Sequence, residues 1–409
     1  MNKTAHAGNR GKEVRSDCYV ELEIANDKGI LLELESKVAA LYGKSITRLV
    51  NDVLSHFGIE HARVHLEDSG ALDFVIAARL EAAIRQLIDT DEEYLLPFRE
   101  ENAVTFPRDS IRFSRLYLPG NSPKLMLNAG IHHPNGVILD LEDSVAPTRK
   151  MEARLLVRNA LRSLDFYGAE KMVRINQMPK GLEDLRFVIP HNADHILIPK
   201  CEYAEDIRKV NDEINKLKAN CGISKDIWLM PIIESARGVM NAFEIATAAG
   251  NVAALAIGLE DYTADIGTRR TQEGTESFFA RSMVVNAARA AGIQPIDSVF
   301  SDVSDMEALA ETVRASKALG FDGMGCIHPR QIAVIHENYA PEMEEIGKAR
   351  RIVLAFREAE AKGLGVVALG SKMIDPPVVK RAQKTIQVAI ETGKLSKDWE
   401  EETPKEKSH

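Results

Sequence analysis

The apolar run "VILDLEDSVAP" (137–147) ends in three carboxylates, Asp140, Glu142 and Asp143. Further polar residues close other short apolar runs: Arg174 in "VRIN", Lys200 in "ILIPK", Glu234 in "PIIES", Glu260 and Asp261 in "IGLED", Asp297 in "IQPID" and His328 in "CIHP". Carboxylates gathered in one low-dielectric site repel and raise one another's pKa unless something positive is present. A divalent cation and one or two arginines would resolve that conflict. Oxygen-only ligands suit magnesium better than zinc, and no His or Cys cluster points to zinc. Glu234 and Asp261 are the best-placed metal pair, with helix capping as their plainer alternative. Arg174 matches an anionic substrate by the fit of guanidinium to carboxylate, or forms a salt bridge to a rim acid. Lys200 suits a phosphate, a carboxylate or a Schiff base. Pro119 and Gly120, in "PGNSP", are placed to open a helix whose free amides receive an anion. Strand alternation puts Asp140 and Glu142 on one side and turns Asp143 away. Glu142 and Asp143 are therefore expected to orient metal-bound water or substrate, Asp140 to brace the rim, and His328 to be structural.

These residues need elements that carry them to one place. Eight short apolar runs, beginning at 114, 136, 171, 195, 227, 252, 293 and 321, alternate with helical stretches. Continuous apolar strands between amphipathic helices mean a covered parallel sheet, and eight such units are the number that closes a (β/α)8 TIM barrel, an α/β fold with its site at the C-terminal strand ends. The alternative, an open doubly wound sheet, lacks the Gly-x-Gly-x-x-Gly of a dinucleotide-binding strand. The barrel is expected over 113–345. Before it, alternation over 19–34 broken by Asn26, Asp27, Lys28 and Gly29 reads as a hairpin, followed by a helix in 36–57, a strand at "ARVHLED" and a helix in "ALDFVIAARLEAAIRQL". That is a small α+β domain over 1–90. The charged stretch 91–112, with two prolines, reads as a linker, and 396–409 as a disordered tail.

With 409 residues, 45% of them hydrophobic and 28% charged, the chain has enough apolar residues for a large core. No stretch reaches the roughly 18 continuous apolar residues of a membrane span, and the first fifteen residues lack an apolar signal region, so cytoplasm is expected and membrane is not. A net charge of −9 argues against nucleic acid as a partner. The four cysteines are scattered with no C-x-x-C pair, which suggests buried thiols.

Taken together, "SRLYLPGNSP", "VILDLEDSVAP", "VRIN", "ILIPK", "PIIES", "IGLEDYTADIG", "FDGMGCIHPRQ" and "GSKMIDPPVVKRAQ" resemble, in order, the citrate lyase β-subunit-like branch of the HpcH/HpaI aldolase family, which includes malyl-CoA and citramalyl-CoA lyases. The resemblance covers about 114–395. It implies a Mg2+-dependent carbon–carbon lyase, or condensing enzyme, for a β-hydroxyacyl-CoA thioester, with Glu234 and Asp261 on the metal and Arg174 on the substrate carboxylate. It further implies a homotrimer or hexamer. A C-terminal helical lid segment, 346–395, would carry Asp375 to a neighbouring subunit's site as a catalytic residue. Residues 11–87 resemble the acyl carrier subunit of citrate lyase. There a serine two residues before an aspartate bears a phosphoribosyl-dephospho-CoA arm. The matching position here is Arg15, with Ser16 one residue later, which counts against the arm and leaves Ser16 as the candidate attachment point. Two other readings stand beside the lyase: a citryl-carrier lyase component of a citrate lyase complex, and a non-catalytic scaffold that binds CoA thioesters.

Overall fold

The computed structural model describes residues 3–361, 367–369 and 372–400. The chain begins with a four-stranded sheet of β1 (Thr4–Gly8), β2 (Cys18–Ile24), β3 (Ile30–Ser36) and β4 (Ala62–Asp68), in the order β1-β2-β4-β3. Alternation puts Cys18, Val20 and Leu22 of β2 and Ala62, Val64 and Leu66 of β4 into the core. The helix Ala39–His56 buries Ile46, Leu49, Val50, Val53 and Leu54, spaced to form one helical face.

The hairpin expected over 19–34 is not formed. β2 and β3 do not pair with each other; both pair with β4, antiparallel and parallel respectively. The turn is real, with Lys28 and Gly29 at positive φ, but it sends β3 past β2 to the far side of β4. A local turn signal carries no information about a strand 30 residues further on.

All eight strands of the second part are present: β5 (Ser114–Pro119), β6 (Gly136–Asp140), β7 (Glu170–Arg174), β8 (His195–Ile198), β9 (Trp228–Ile233), β10 (Ala254–Ile257), β11 (Gln294–Asp297) and β12 (Gly323–Cys326). Each pairs in parallel with the next, and β12 pairs with β5, so the sheet closes into a barrel. That rules out the open sheet. Ile138, Met172, Leu197, Met230, Ile232, Ala254, Ala256 and Ile296 fill the interior as a separate apolar cluster, as inward positions of parallel strands should.

The N-terminal part is seated on the barrel rather than tethered to it. The helix Asp73–Leu87 is buried without a break from Phe74 to Ile84, because its own sheet covers one side and the barrel helix Lys150–Ser163 the other. Charged residues trapped in that contact are paired: Arg158 donates to Glu81 at 2.6 and 3.0 Å, and Arg79 donates to both carboxylate oxygens of Asp17 at 3.0 Å and to Glu152.

The stretch expected to be a linker is also docked. It runs across the N-terminal ends of the barrel strands, where Arg112 grips Glu170 at 2.7 and 2.8 Å, Trp228 Nε1 donates to Phe106 O and Arg108 donates to Val252 O. It reads as a linker in sequence because the partners of its charges lie on distant strands. At the other end, helices Met343–Ala361 and Pro376–Glu391 pack together, with β13 (Val367–Leu369) and β14 (Lys372–Ile374) between them. Trp399, placed by sequence in the disordered tail, is buried against Ile352, Val379 and Ile386, so 396–400 correct that expectation; 401–409 lie outside the described residues. Cys18, Cys201, Cys221 and Cys326 are free thiols, and among the described residues no helix is long and apolar enough to cross a membrane.

Candidate active site

A cavity of about 940 Å³ opens at the C-terminal ends of the barrel strands, lined among others by Pro119, Asp140, Arg174, Glu234, Asp261 and Asp297. The last inward residues of β6 and β7, Asp140 and Arg174, are register partners at the rim. Arg174 Nε and Nη2 donate to the two Asp140 carboxylate oxygens, both at 2.7 Å. Those bonds outweigh burial and hold Asp140 below the usual carboxylate range. Arg174 Nη1 lies 3.0 Å from Glu142 Oε2, which has no aligned hydrogen bond. Of the five guanidinium N–H groups, the side-on pair is thus committed to Asp140, and the end-on pair, one hydrogen each on Nη1 and Nη2, remains for a ligand. Arg174 also stacks 5.4 Å over the Tyr117 ring.

Glu142 and Asp143 divide as alternation predicts: Glu142 is buried and Asp143 exposed. Glu142 Oε1 accepts from Gln177 Nε2 at 3.0 Å and Lys200 Nζ at 3.1 Å, and Lys200 Nζ also reaches Asp143. Lys200 therefore balances two acids beside the cavity and is not among its lining residues. Its backbone has the left-handed φ of 51°, unusual for a side-chain-bearing residue. That twist aims its N–H at Glu234 Oε2, 2.9 Å away.

Glu234, one residue beyond β9, is 6% exposed. Burial is the main reason its carboxyl is pushed up to about 8; Glu142 and Asp261 add repulsion, while the Lys200 N–H opposes the shift. Gly258 leaves room for it, since a Cβ there would come within 2.4 Å of Glu234 Oε1. Asp261 lies not at the tip of β10, as sequence suggested, but in the first turn of the helix Leu259–Asp265. It is exposed, and among the described residues it has no hydrogen-bond or salt-bridge partner. A buried carboxylate that repels its neighbours, facing an uncommitted one, is a donor set that fits a hard divalent cation.

Other expected residues fall outside that set. Gly120 spends its N–H on Asp140 O at 2.8 Å, and the helix after it is only Pro123–Met126, so the free-amide role expected of it is corrected. Asp297 is held by Arg281 and Ser316. His328 lines the cavity, with Nδ1 accepting from Arg330 N. Asp375 caps the helix Pro376–Glu391 by accepting from Val378 N, and no described residue of 343–400 lines this chain's own cavity. Tyr117 and Arg115 were missed, although inward alternation with Pro119 on β5 would have found them.

The sequence model of the HpcH/HpaI aldolase/citrate lyase family matches residues 114–329. Citrate lyase subunit beta of Haemophilus influenzae is 38% identical over 68% of this chain and 97% of its own length. The chain belongs to the HpcH/HpaI aldolase/citrate lyase family. Mitochondrial citramalyl-CoA lyase of Homo sapiens, another relative, is 33% identical over 67% of this chain and 84% of that protein. A crystal structure of the Mycobacterium tuberculosis protein CitE with magnesium, acetoacetate and coenzyme A aligns with a TM-score of 0.57 at 30% identity, covering 69% of this chain and 99% of that one. Residues 2–87 match the model of the malonate decarboxylase delta subunit (MdcD). As an HpcH/HpaI family member the chain is a carbon–carbon lyase, and the scaffold reading is set aside.

Glu234 gives a prediction about pH. Without a divalent cation, the raised carboxyl contributes stability through its bound proton below its ordinary value of 4.5, and loses it as pH rises to about 8. Melting temperature of the metal-free protein should fall across that window. Magnesium binds only the deprotonated carboxylate, so it should flatten the upper part of the fall and bind more tightly as pH rises. A metal-free profile that stays level across the window would sink this account of Glu234.

Proposed function

We propose that Glu234 and Asp261 hold magnesium and that the cavity cleaves, or forms, the carbon–carbon bond of a β-hydroxyacyl-CoA thioester such as malyl-CoA or citramalyl-CoA. The observation that carries this reading is the buried, repelled Glu234 in the same cavity lining as Asp261, which has no partner among the described residues, and Arg174. When bound, magnesium supplies Lewis-acid stabilisation to an alkoxide at the β-carbon. The end-on N–H pair of Arg174 receives the substrate carboxylate, while Asp140 keeps the guanidinium oriented. Glu142, Asp143 and Lys200 form a charge-balanced group behind the lining that orients Arg174 and aims the Lys200 N–H at Glu234, and Pro119 borders the thioester.

In cleavage the hydroxyl proton passes to a carboxylate, which holds it while the carbon–carbon bond breaks. An α-oxo acid leaves, and the enolate of the acyl thioester takes a proton at carbon. We assign that proton to Asp375 of a neighbouring subunit in a homotrimer or hexamer, because in its own chain Asp375 is exposed and stands away from the cavity lining. Mixing Glu234→Gln subunits with Asp375→Asn subunits should then restore release of α-oxo acid from one of malyl-, citramalyl- or citryl-CoA, although neither variant alone is active. Mixed oligomers that remain inactive would place Asp375 elsewhere.

The citryl-carrier reading is favoured by one observation. The N-terminal part, matched by the MdcD model, touches the rim: Arg79, which grips Asp17, also donates to Asn121 O just after β5. Ser16 adjoins Asp17 with a φ of 56° and donates its N–H to Ser69 O. Intact mass from a host able to make the arm decides this, an unmodified chain counting against it. The assigned compartment is the cytoplasm, testable by fractionation.

A further inference from the structure

Below the Asp140–Arg174 pair the barrel interior carries apolar side chains down to a polar floor, where Glu170 meets Arg112 and His195. Arg115, inward on β5, is 1% exposed yet lines the base of the cavity. Its Nε has no hydrogen-bond partner. Nη1 points at Met230 Sδ, 2.8 Å away, and Nη2 lies 3.5 Å from the Asp297 carbonyl oxygen, a thioether and a long contact in place of anions. Among the described residues no carboxylate pairs with it: Asp297, whose carbonyl it approaches, gives its carboxylate to Arg281 and Ser316. Every other arginine buried to this degree is matched, as Arg79 is to Asp17, Arg112 to Glu170 and Arg158 to Glu81.

An arginine does not shed its charge, and an isolated buried charge costs several kcal/mol unless an anion joins it. The cavity also reaches it. Ala256 on β10 and Gly325, the register partner of Arg115 on β12, are small and line the cavity together with Arg115, beside the Tyr117 ring. We propose that Arg115 is a specificity-determining residue that receives a second carboxylate on the α-oxo acid half of the substrate, so that the cavity prefers a dicarboxylate there to a monocarboxylate. The inference rests on the lyase reading and shifts its preferred substrate from malyl- and citramalyl-CoA, whose α-oxo products carry one carboxylate, to thioesters such as citryl-CoA, whose cleavage releases an oxo-dicarboxylate. A purely structural Arg115, held by Met230 and Asp297, would leave ligand choice unchanged.

The test measures binding alone. Malate and lactate share an α-hydroxy acid head and differ by one carboxylate, so their affinities are compared by calorimetry at fixed magnesium concentration. The wild-type protein should bind malate about tenfold or more tightly than lactate, as expected for one charge-assisted hydrogen-bonded contact. Arg115→Met should bring the two within about twofold while leaving lactate unchanged, and Arg115→Lys, which keeps the charge without the fork, should fall between them. A ratio that survives Arg115→Met, or that is near one in the wild type, overturns the proposal while the lyase reading stands. If Arg115→Met fails to fold, Arg115→Lys decides alone, an unchanged ratio being the overturning result. Failure of both acids to bind in the presence of magnesium overturns the lyase reading and this inference with it.

Discussion

Glu234→Gln should lower turnover by more than the roughly 10- to 100-fold that follows loss of a residue merely supporting a metal ligand. The amide keeps the volume of the acid and can still accept the Lys200 N–H that now bonds Oε2 at 2.9 Å. What it loses is the negative charge that a cation needs. The variant therefore separates metal binding from fold. Metal-free Glu234→Gln should melt no lower than wild type near pH 8, because a neutral group replaces a carboxyl that burial has already pushed up to about 8. Addition of magnesium, which should raise the melting temperature of the wild type, should do little to the variant. Full activity in Glu234→Gln would remove this residue from the metal site.

The second large effect concerns the seam between the N-terminal part and the barrel. Glu81 and Arg158 are both wholly buried there, on helices that face each other. Arg158→Met leaves Glu81 buried with only Arg85 Nε and the Tyr94 N–H, and strips Glu93 and Tyr94 O of a donor. Breaking one side of a buried pair costs about 3–5 kcal/mol, and the retained Arg85 contact places the expectation near the lower end. Urea denaturation followed by fluorescence should show an earlier first transition. The double change Glu81→Leu with Arg158→Met removes both charges and should recover most of the loss. Equal destabilisation by the single and double variants would mean that packing volume, rather than charge, holds the seam.

What could be read from sequence follows a physical division. The eight barrel strands were legible because a parallel strand buried on both faces writes itself as an unbroken apolar run, and the polar residue that ends it marks the site. Glu234, Arg174 and Asp140 close such runs and line the cavity, whereas Asp261 reaches it from the helix after β10. Properties that depend on a distant partner were not legible. The turn at Lys28 and Gly29 was visible, but the insertion of β4 between β2 and β3 was not. Arg112 reads as part of a charged linker, and only the fold brings Glu170 to it across the barrel floor. Trp399 looked like tail until the two C-terminal helices covered it. Arg115 is the extreme case, since its interest lies in a partner that the fold does not supply.

The most direct test of the central claim is release of an α-oxo acid from malyl-, citramalyl- and citryl-CoA by the purified full chain, measured with and without magnesium. Cleavage of at least one thioester, dependent on magnesium and lost in Glu234→Gln, is the predicted result. Cleavage that proceeds equally well after chelation of divalent ions, or no cleavage of any of the three with magnesium present, would contradict it.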